Sequence, residues 1–319
     1  LLKLSNMSRP DKQPQSNAKS GIPTQYTPAY FDQQYDNRAR VPEFGAHLAD
    51  WAKRSLVVRE TSPCAIDLPF GPAPAERLDL FLPQKVNPPG KLAPVLVFLH
   101  GGYWRALDKS DHSFVAPTFT AQGVLVVVVN YDLCPGTAQR PVRIPDIALQ
   151  VTRAMVWVHA HIAQYGGDPS RVVVAGHSAG GHLAAMMLAC DWPGVDASIA
   201  PGWIRQAVSL SGLFDLEPLR IAPSFQASLC LDTEQVHKAS PVFLKAPKAG
   251  QLSALVGGDE SDEFLRQNQL IRKVWGKRAV PVCESPAGLN HFSVLQAITQ
   301  ADSPVVKHLL NAVARTAKT

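Results

Sequence analysis

The run at 171–181, RVVVAGHSAGG, constrains this chain more than any other stretch. An apolar strand enters a Gly-x-Ser-x-Gly turn at 176–180, and a helix of small residues leaves it. Such a turn forces Ser178 into a strained backbone, and Gly176 and Gly180 remove the Cβ atoms that would collide where strand and helix close on each other. The strain lifts the Ser178 hydroxyl into a cleft. The helix start aims free N–H groups, that of Ala179 among them, at negative charge developing there. Ser178 is therefore the candidate nucleophile. His177 and His182, inside the turn and on the helix behind it, read as packing or hydrogen-bonding side chains.

Around this turn, short apolar runs alternate with helical patterns, which implies an α/β fold with a mostly parallel sheet flanked by helices. Strands are expected near 78–82, 95–99, 124–130, 172–175, 207–210, 252–256 and 280–283, with helices over 144–165 and 179–189. VLVVVV and VVVAG are apolar without alternation, as strands covered on both faces must be. Val41, Phe44, Leu48 and Trp51 recur at helical spacing, with Pro42 suited to a first turn. Residues 1–28, rich in Ser, Pro, Gln, Lys and Asn, read as a flexible tail before one domain at 29–319. The stretch 211–246, with prolines at 218, 223 and 241, breaks the rhythm and is a candidate cap over the carboxyl ends of the strands.

The strand VLVFL runs into His100-Gly101-Gly102-Tyr103-Trp104. Glycines there let backbone approach a substrate closely, so the N–H groups of Gly102 and Tyr103, with that of Ala179, are the expected oxyanion donors. Tyr103 and Trp104 are expected beside the substrate, Trp104 as a pocket wall. His100 reads as a shaper of the loop. With a serine on such a turn, the acid follows a late strand and the histidine comes near the C-terminus. His291, in GLNHF after the strand candidate VPVCE, fits the base. For the acid, the strand LSALV leads into GGDESDEF, where Asp259 or Glu260 could accept the imidazole Nδ1 hydrogen bond; Asp262 and Glu263 read as the start of the next helix.

Composition excludes more than it selects. With 46% hydrophobic and 18% charged residues, 319 residues can bury one large core. The net charge of +5 is scattered, without the basic stripe and interleaved aromatics of a nucleic-acid binder. The five cysteines form no CxxC pair and read as free thiols. No apolar run is long enough for a membrane span. No intact secretory signal is read at the N-terminus, and a cytoplasmic location is expected. No HExxH occurs, and His159 and His161 sit at i and i+2 of a helix, facing apart, so no metal is expected.

With those residues in view, the chain resembles the α/β-hydrolases of the kynurenine formamidase (arylformamidase) and esterase branch. The resemblance rests on HGGYW at 100–104, NYDLCP at 130–135, GHSAGGHLA at 176–184, SGLFDLEPL at 211–219, ESDEFLRQ at 260–267 and NHF at 290–292. It implies an α/β-hydrolase fold and a triad of Ser178, Glu260 and His291. In that family the acid stands three residues before the glutamate of the EF..RQ segment, which is Glu260 here, where formamidases usually carry aspartate. The implied activity is hydrolysis of small carboxylic esters through an acyl-enzyme, with arylformamidase as alternative and a non-catalytic ligand-binding protein as rival. The expected partner is a small ester or amide substrate. No cofactor is implied, and a homodimer is one option for assembly.

Overall fold

The computed structural model describes residues 26–85 and 90–318. The expected tail lies outside the described residues up to 25, and its boundary moves: Tyr26 stacks on Tyr30 with ring centroids 4.3 Å apart, and helix α1, Pro28–Tyr35, starts from the cap Thr27. Phe31 and Tyr35 anchor this helix in the core. A short helix α2, Asn37–Arg40, and the long α3, Phe44–Thr61, follow. Pro42 thus sits in the turn ahead of α3 and not in its first helical turn, while Trp51 is buried as expected.

Eight strands form one sheet: β1 Cys64–Pro69, β2 Arg77–Phe81, β3 Ala93–Leu99, β4 Leu125–Val129, β5 Gly167–His177, β6 Gln206–Leu210, β7 Gln251–Leu255 and β8 Val282–Glu284. Their spatial order is β1-β2-β4-β3-β5-β6-β7-β8. β1 and β2 are antiparallel additions at one edge, and all pairings from β4 to β8 are parallel. Alternate residues of β3 enter two cores on opposite faces, Val95, Val97 and Leu99 on one and Leu96 and Phe98 on the other. Burial on both faces is why these strands lack a polar alternation.

The helices that matter to the site are α4 Ile144–His161, α5 Ala179–Leu188, α6 Glu217–Ile221, α7 Pro223–Leu229, α8 Thr233–Ala239, α9 Asp262–Ala279 and α10 Pro304–Arg315. Prolines 218 and 223, which disturb the pattern at 211–246, stand at the first turns of α6 and α7, where a missing N–H costs nothing. The chain leaves β3 toward β4 on one side and β5 toward β6 on the other. The loops after these neighbouring strands therefore diverge, and a crevice opens at their carboxyl ends. Register pairs Leu99 with Gly176, His177 with Leu210, and Leu210 with Leu255, so the loops bearing the candidate residues start level with one another. Among the described residues no helix is long and apolar enough to cross a membrane, and all five cysteines are free.

Candidate active site

Ser178 sits between β5 and α5 with φ 55° and ψ −117°, a conformation that a non-glycine residue adopts only when its surroundings impose it. The surroundings are backbone. A Cβ on Gly176 would stand 2.3 Å from the Gly180 carbonyl oxygen, and one on Gly180 only 1.9 Å from that of Leu99. The glycines thus let α5 start in contact with β3 and β5, and Ser178 N–H is fixed by Leu210 O at 2.7 Å. Ala179, the first residue of α5, has an N–H that the helix itself leaves unsatisfied.

His291 Nδ1 donates to Glu260 Oε2 at 2.6 Å, with both side chains buried. A carboxylate only accepts, so the proton is on Nδ1 and the neutral ring keeps Nε2 as an acceptor. Glu260 is held in turn: its Oε1 accepts from Gly257 N–H at 2.7 Å and from the Ser211 hydroxyl. Asp259, the other carboxylate left open by the sequence pattern, turns away and accepts from Gly288 N–H at 3.3 Å. Asp262 and Glu263 begin α9 as expected, but Glu263 is also buried, accepting from the Tyr35 hydroxyl at 2.8 Å and from Arg266. Ser211 was not singled out from the sequence. The signal for it is a serine-glycine pair ending β6, and its φ of 53° turns the hydroxyl toward Glu260.

Ser178 and His291 line one cleft of about 620 Å³, together with Gly102 and Tyr103. Gly102 has φ 101°, and a Cβ there would meet the Ala106 carbonyl oxygen at 2.1 Å. Among the described residues nothing accepts from the N–H of Gly102 or Tyr103. The Tyr103 hydroxyl donates to Tyr35 O at 2.8 Å and accepts from Asn37 Nδ2 at 3.2 Å, which ties the loop to the α1–α2 segment. Burial first, and the charge of Glu260 second, hold this phenol well above its ordinary pKa.

Trp104 is not the pocket wall expected of it. It is fully buried, edge-on to His182 with ring centroids 4.9 Å apart, and does not line the cleft. Tyr103 and Trp104 have φ 50° and 55°, and these successive left-handed residues turn the Trp104 ring into the core instead of beside the substrate.

Four histidines are buried in the frame around the site. His100 stacks on Tyr131 at 4.1 Å and its Nδ1 donates to Gly101 O at 2.8 Å, shaping the glycine loop. His177 Nε2 donates to the His291 carbonyl at 2.8 Å, and its ring lies 4.7 Å from that of His291. Burial lowers the pKa of both. Burial likewise pushes His182 down to about 4 and His112 to about 3. Unfolding releases these rings to ordinary values near 6.5, so below that pH the unfolded chain takes up protons that the native one refuses. The stability tied to these groups is present above about pH 6.5 and is lost as pH falls toward about 4 for His182 and about 3 for His112. Each contributes a slope of at most about 1.4 kcal/mol per pH unit. Calorimetry at stepped pH should show the melting temperature falling steeply below about pH 6.5; a flat profile from neutrality to about pH 4.5 would contradict this account.

Comparison with known proteins points to hydrolases of this fold. The family model described as BD-FAE matches residues 78–197, which hold the glycine loop and the Ser178 turn. The chain is 28% identical to a kynurenine formamidase of Danio rerio over 306 residues, covering 94% of this chain and 98% of that protein. It is 33% identical to esterase LipQ of Mycobacterium tuberculosis over 158 residues, 47% of this chain and 35% of that one. A solved structure from Silicibacter sp. TM1040, described as that of a candidate thioesterase, superposes with a TM-score of 0.75 at 30% identity, covering 88% of this chain and 98% of the other.

Proposed function

Since this chain belongs to the α/β-hydrolase superfamily, in the branch that holds esterases and formamidases, we propose that it cleaves small carboxylic esters with Ser178 as nucleophile, His291 as general base and Glu260 as the acid that orients the histidine. The observation that carries this reading is the hydrogen bond of His291 Nδ1 to Glu260 Oε2 at 2.6 Å on the cleft that Ser178 lines.

In this mechanism Ser178 Oγ attacks the scissile carbonyl carbon while His291 Nε2 takes the hydroxyl proton. Glu260 stabilises the imidazolium that results, without taking its proton. The negative charge moves to the carbonyl oxygen, and the N–H groups of Gly102, Tyr103 and Ala179 receive it; one such donor is worth about 3 kcal/mol in the transition state. Collapse expels the leaving group, which takes the proton from His291. Water, deprotonated by the same histidine, then attacks the acyl-enzyme and frees Ser178.

Aryl formamides are the second reading, supported by similarity to the Danio rerio kynurenine formamidase over nearly its whole length. Both substrates use one triad, so turnover separates them. With 4-nitrophenyl acetate, 4-nitrophenyl hexanoate and an aryl formamide compared side by side, the ester reading expects the higher kcat/KM on esters. A formamide preferred by tenfold or more would replace it with the second reading, and a folded chain inactive on all three would count against both.

A further inference from the structure

The lining of the cleft divides into two chemically unlike groups. Trp51 and Phe292 pack together in the core under one face of the sheet, with Leu48 against them. Tyr103, Phe225 and Arg105 form the other group: the two rings lie 4.7 Å apart, and the Arg105 guanidinium carbon stands 4.7 Å from the Phe225 centroid and 6.0 Å from that of Tyr103. Arg105 is fixed at one end. Its Nη1 donates to Ser224 O at 3.0 Å and to Ser228 Oγ at 2.6 Å, and among the described residues Nε and Nη2 of the planar fork are uncommitted.

Among the described residues no carboxylate pairs with Arg105. Arg59, by contrast, pairs with Asp79, Arg153 with Glu76 and Arg266 with Glu263, while Arg77, Arg171 and Arg272, partly buried and likewise without a carboxylate partner among the described residues, do not line the cleft. A second cation, Arg38, lines the same cleft, is exposed, and also lacks a carboxylate partner among the described residues. Two acids share the lining, but each is engaged by backbone: Asp32 accepts from Ser224 N–H and Asp36 from Ala39 N–H, both at 3.0 Å. Burial lowers the Arg105 pKa from its ordinary value, with Tyr103 opposing the shift and the like charge of Arg38 adding to it, and the guanidinium stays charged.

We propose that Arg105, assisted by Arg38, is the specificity determinant for a free carboxylate on the substrate, carried apart from the scissile carbonyl and received by the uncommitted side of the guanidinium. The proposal rests on the hydrolase reading above and narrows it to carboxylate-bearing esters or formamides. A planar fork stacked on an aromatic ring suits a carboxylate better than a neutral group, because two parallel charge-assisted hydrogen bonds can form.

The test compares two substrate pairs matched in shape and differing in charge: 4-acetoxybenzoate with 4-acetoxybenzamide, which places the charge on the leaving group, and mono-(4-nitrophenyl) adipate with 4-nitrophenyl hexanoate, which places it on the acyl chain. The wild type should prefer the anion in at least one pair. Arg105→Gln, which keeps a donor toward Ser228 and removes the charge, should lower that preference about tenfold or more, mainly through KM. Arg105→Lys should retain an intermediate preference. Raising salt from about 0.02 to about 0.5 M should narrow the wild-type preference and leave that of Arg105→Gln nearly unmoved. Equal anion-to-neutral ratios in wild type and Arg105→Gln for both pairs would overturn the assignment. Ser178→Ala separates the two levels: turnover that survives it refutes the hydrolase reading, whereas turnover that requires Ser178 but ignores substrate charge refutes only the role of Arg105.

Discussion

Ser178→Ala is expected to lower kcat on 4-nitrophenyl acetate by at least about 10⁴-fold, with the melting temperature and circular dichroism spectrum retained. The size follows from what the side chain does. Without Oγ there is no acyl-enzyme, and His291 and Glu260 have no nucleophile to activate, so their contributions vanish together with that of the serine. What remains is binding and the oxyanion donors acting on water. The fold should persist because its conformation here is imposed by Gly176, Gly180 and the Leu210 carbonyl, none of which involves the hydroxyl. Alanine also suits the crowded turn, since it keeps only the Cβ already accommodated there. A loss of less than about tenfold would mean that another group attacks the carbonyl.

The second large effect concerns the acid. Glu260→Gln should reduce kcat by about 10⁴-fold, whereas Asp259→Asn should stay within about threefold of wild type. The Glu260 carboxylate accepts three hydrogen bonds at once, from His291 Nδ1, Gly257 N–H and the Ser211 hydroxyl. An amide can present only one oxygen. If that oxygen stays on Gly257 and Ser211, the amide N–H₂ faces His291 and drives the ring proton to Nε2, the nitrogen that must accept from Ser178. The negative charge opposite the imidazolium is lost as well. Among the described residues the Asp259 carboxylate accepts only from the Gly288 N–H, on the far side of the turn, so its amide should be nearly silent. Steady-state kinetics of the two variants side by side checks this, and a reversed order of effects would move the acid to Asp259.

Much of the site was legible because its residues are tied to local backbone requirements. The elbow needs glycines at 176 and 180 whatever the rest of the sheet does, and the strands β3 and β4 are apolar throughout because both faces are buried. Elements defined by distant partners were not visible. β1 escaped notice because it is an irregular edge strand, with a register shift between Ala65 and Leu68 and Asp67 at φ 59°, so neither alternation nor an apolar run marks it. Helix α1, at the start of the domain, carries no apolar periodicity to mark it, because Phe31 and Tyr35 find their burial against residues far along the chain.

The choice between Asp259 and Glu260 was open to pattern alone for a similar reason. Both stand in a turn without periodicity, and which one meets His291 depends on Gly257 and Gly258 closing tightly on the 286–290 loop; a Cβ on Gly257 would lie 2.2 Å from the Leu289 carbonyl oxygen. Adjacency misled at Trp104, where two successive left-handed residues send neighbouring rings into cleft and core. Arg105 carries no motif at all. Its interest lies in its place on the cleft against Tyr103 and Phe225 with no carboxylate partner among the described residues, which only the folded arrangement reveals.

The central claim is that Ser178 is the nucleophile, and covalent trapping tests it most directly. A 4-nitrophenyl alkylphosphonate should phosphonylate the enzyme with release of about one nitrophenol per chain, abolish esterase activity in step, and leave a single adduct that peptide mass spectrometry maps to Ser178. A chain that hydrolyses esters yet takes no adduct, or takes it on a residue other than Ser178, would contradict the account.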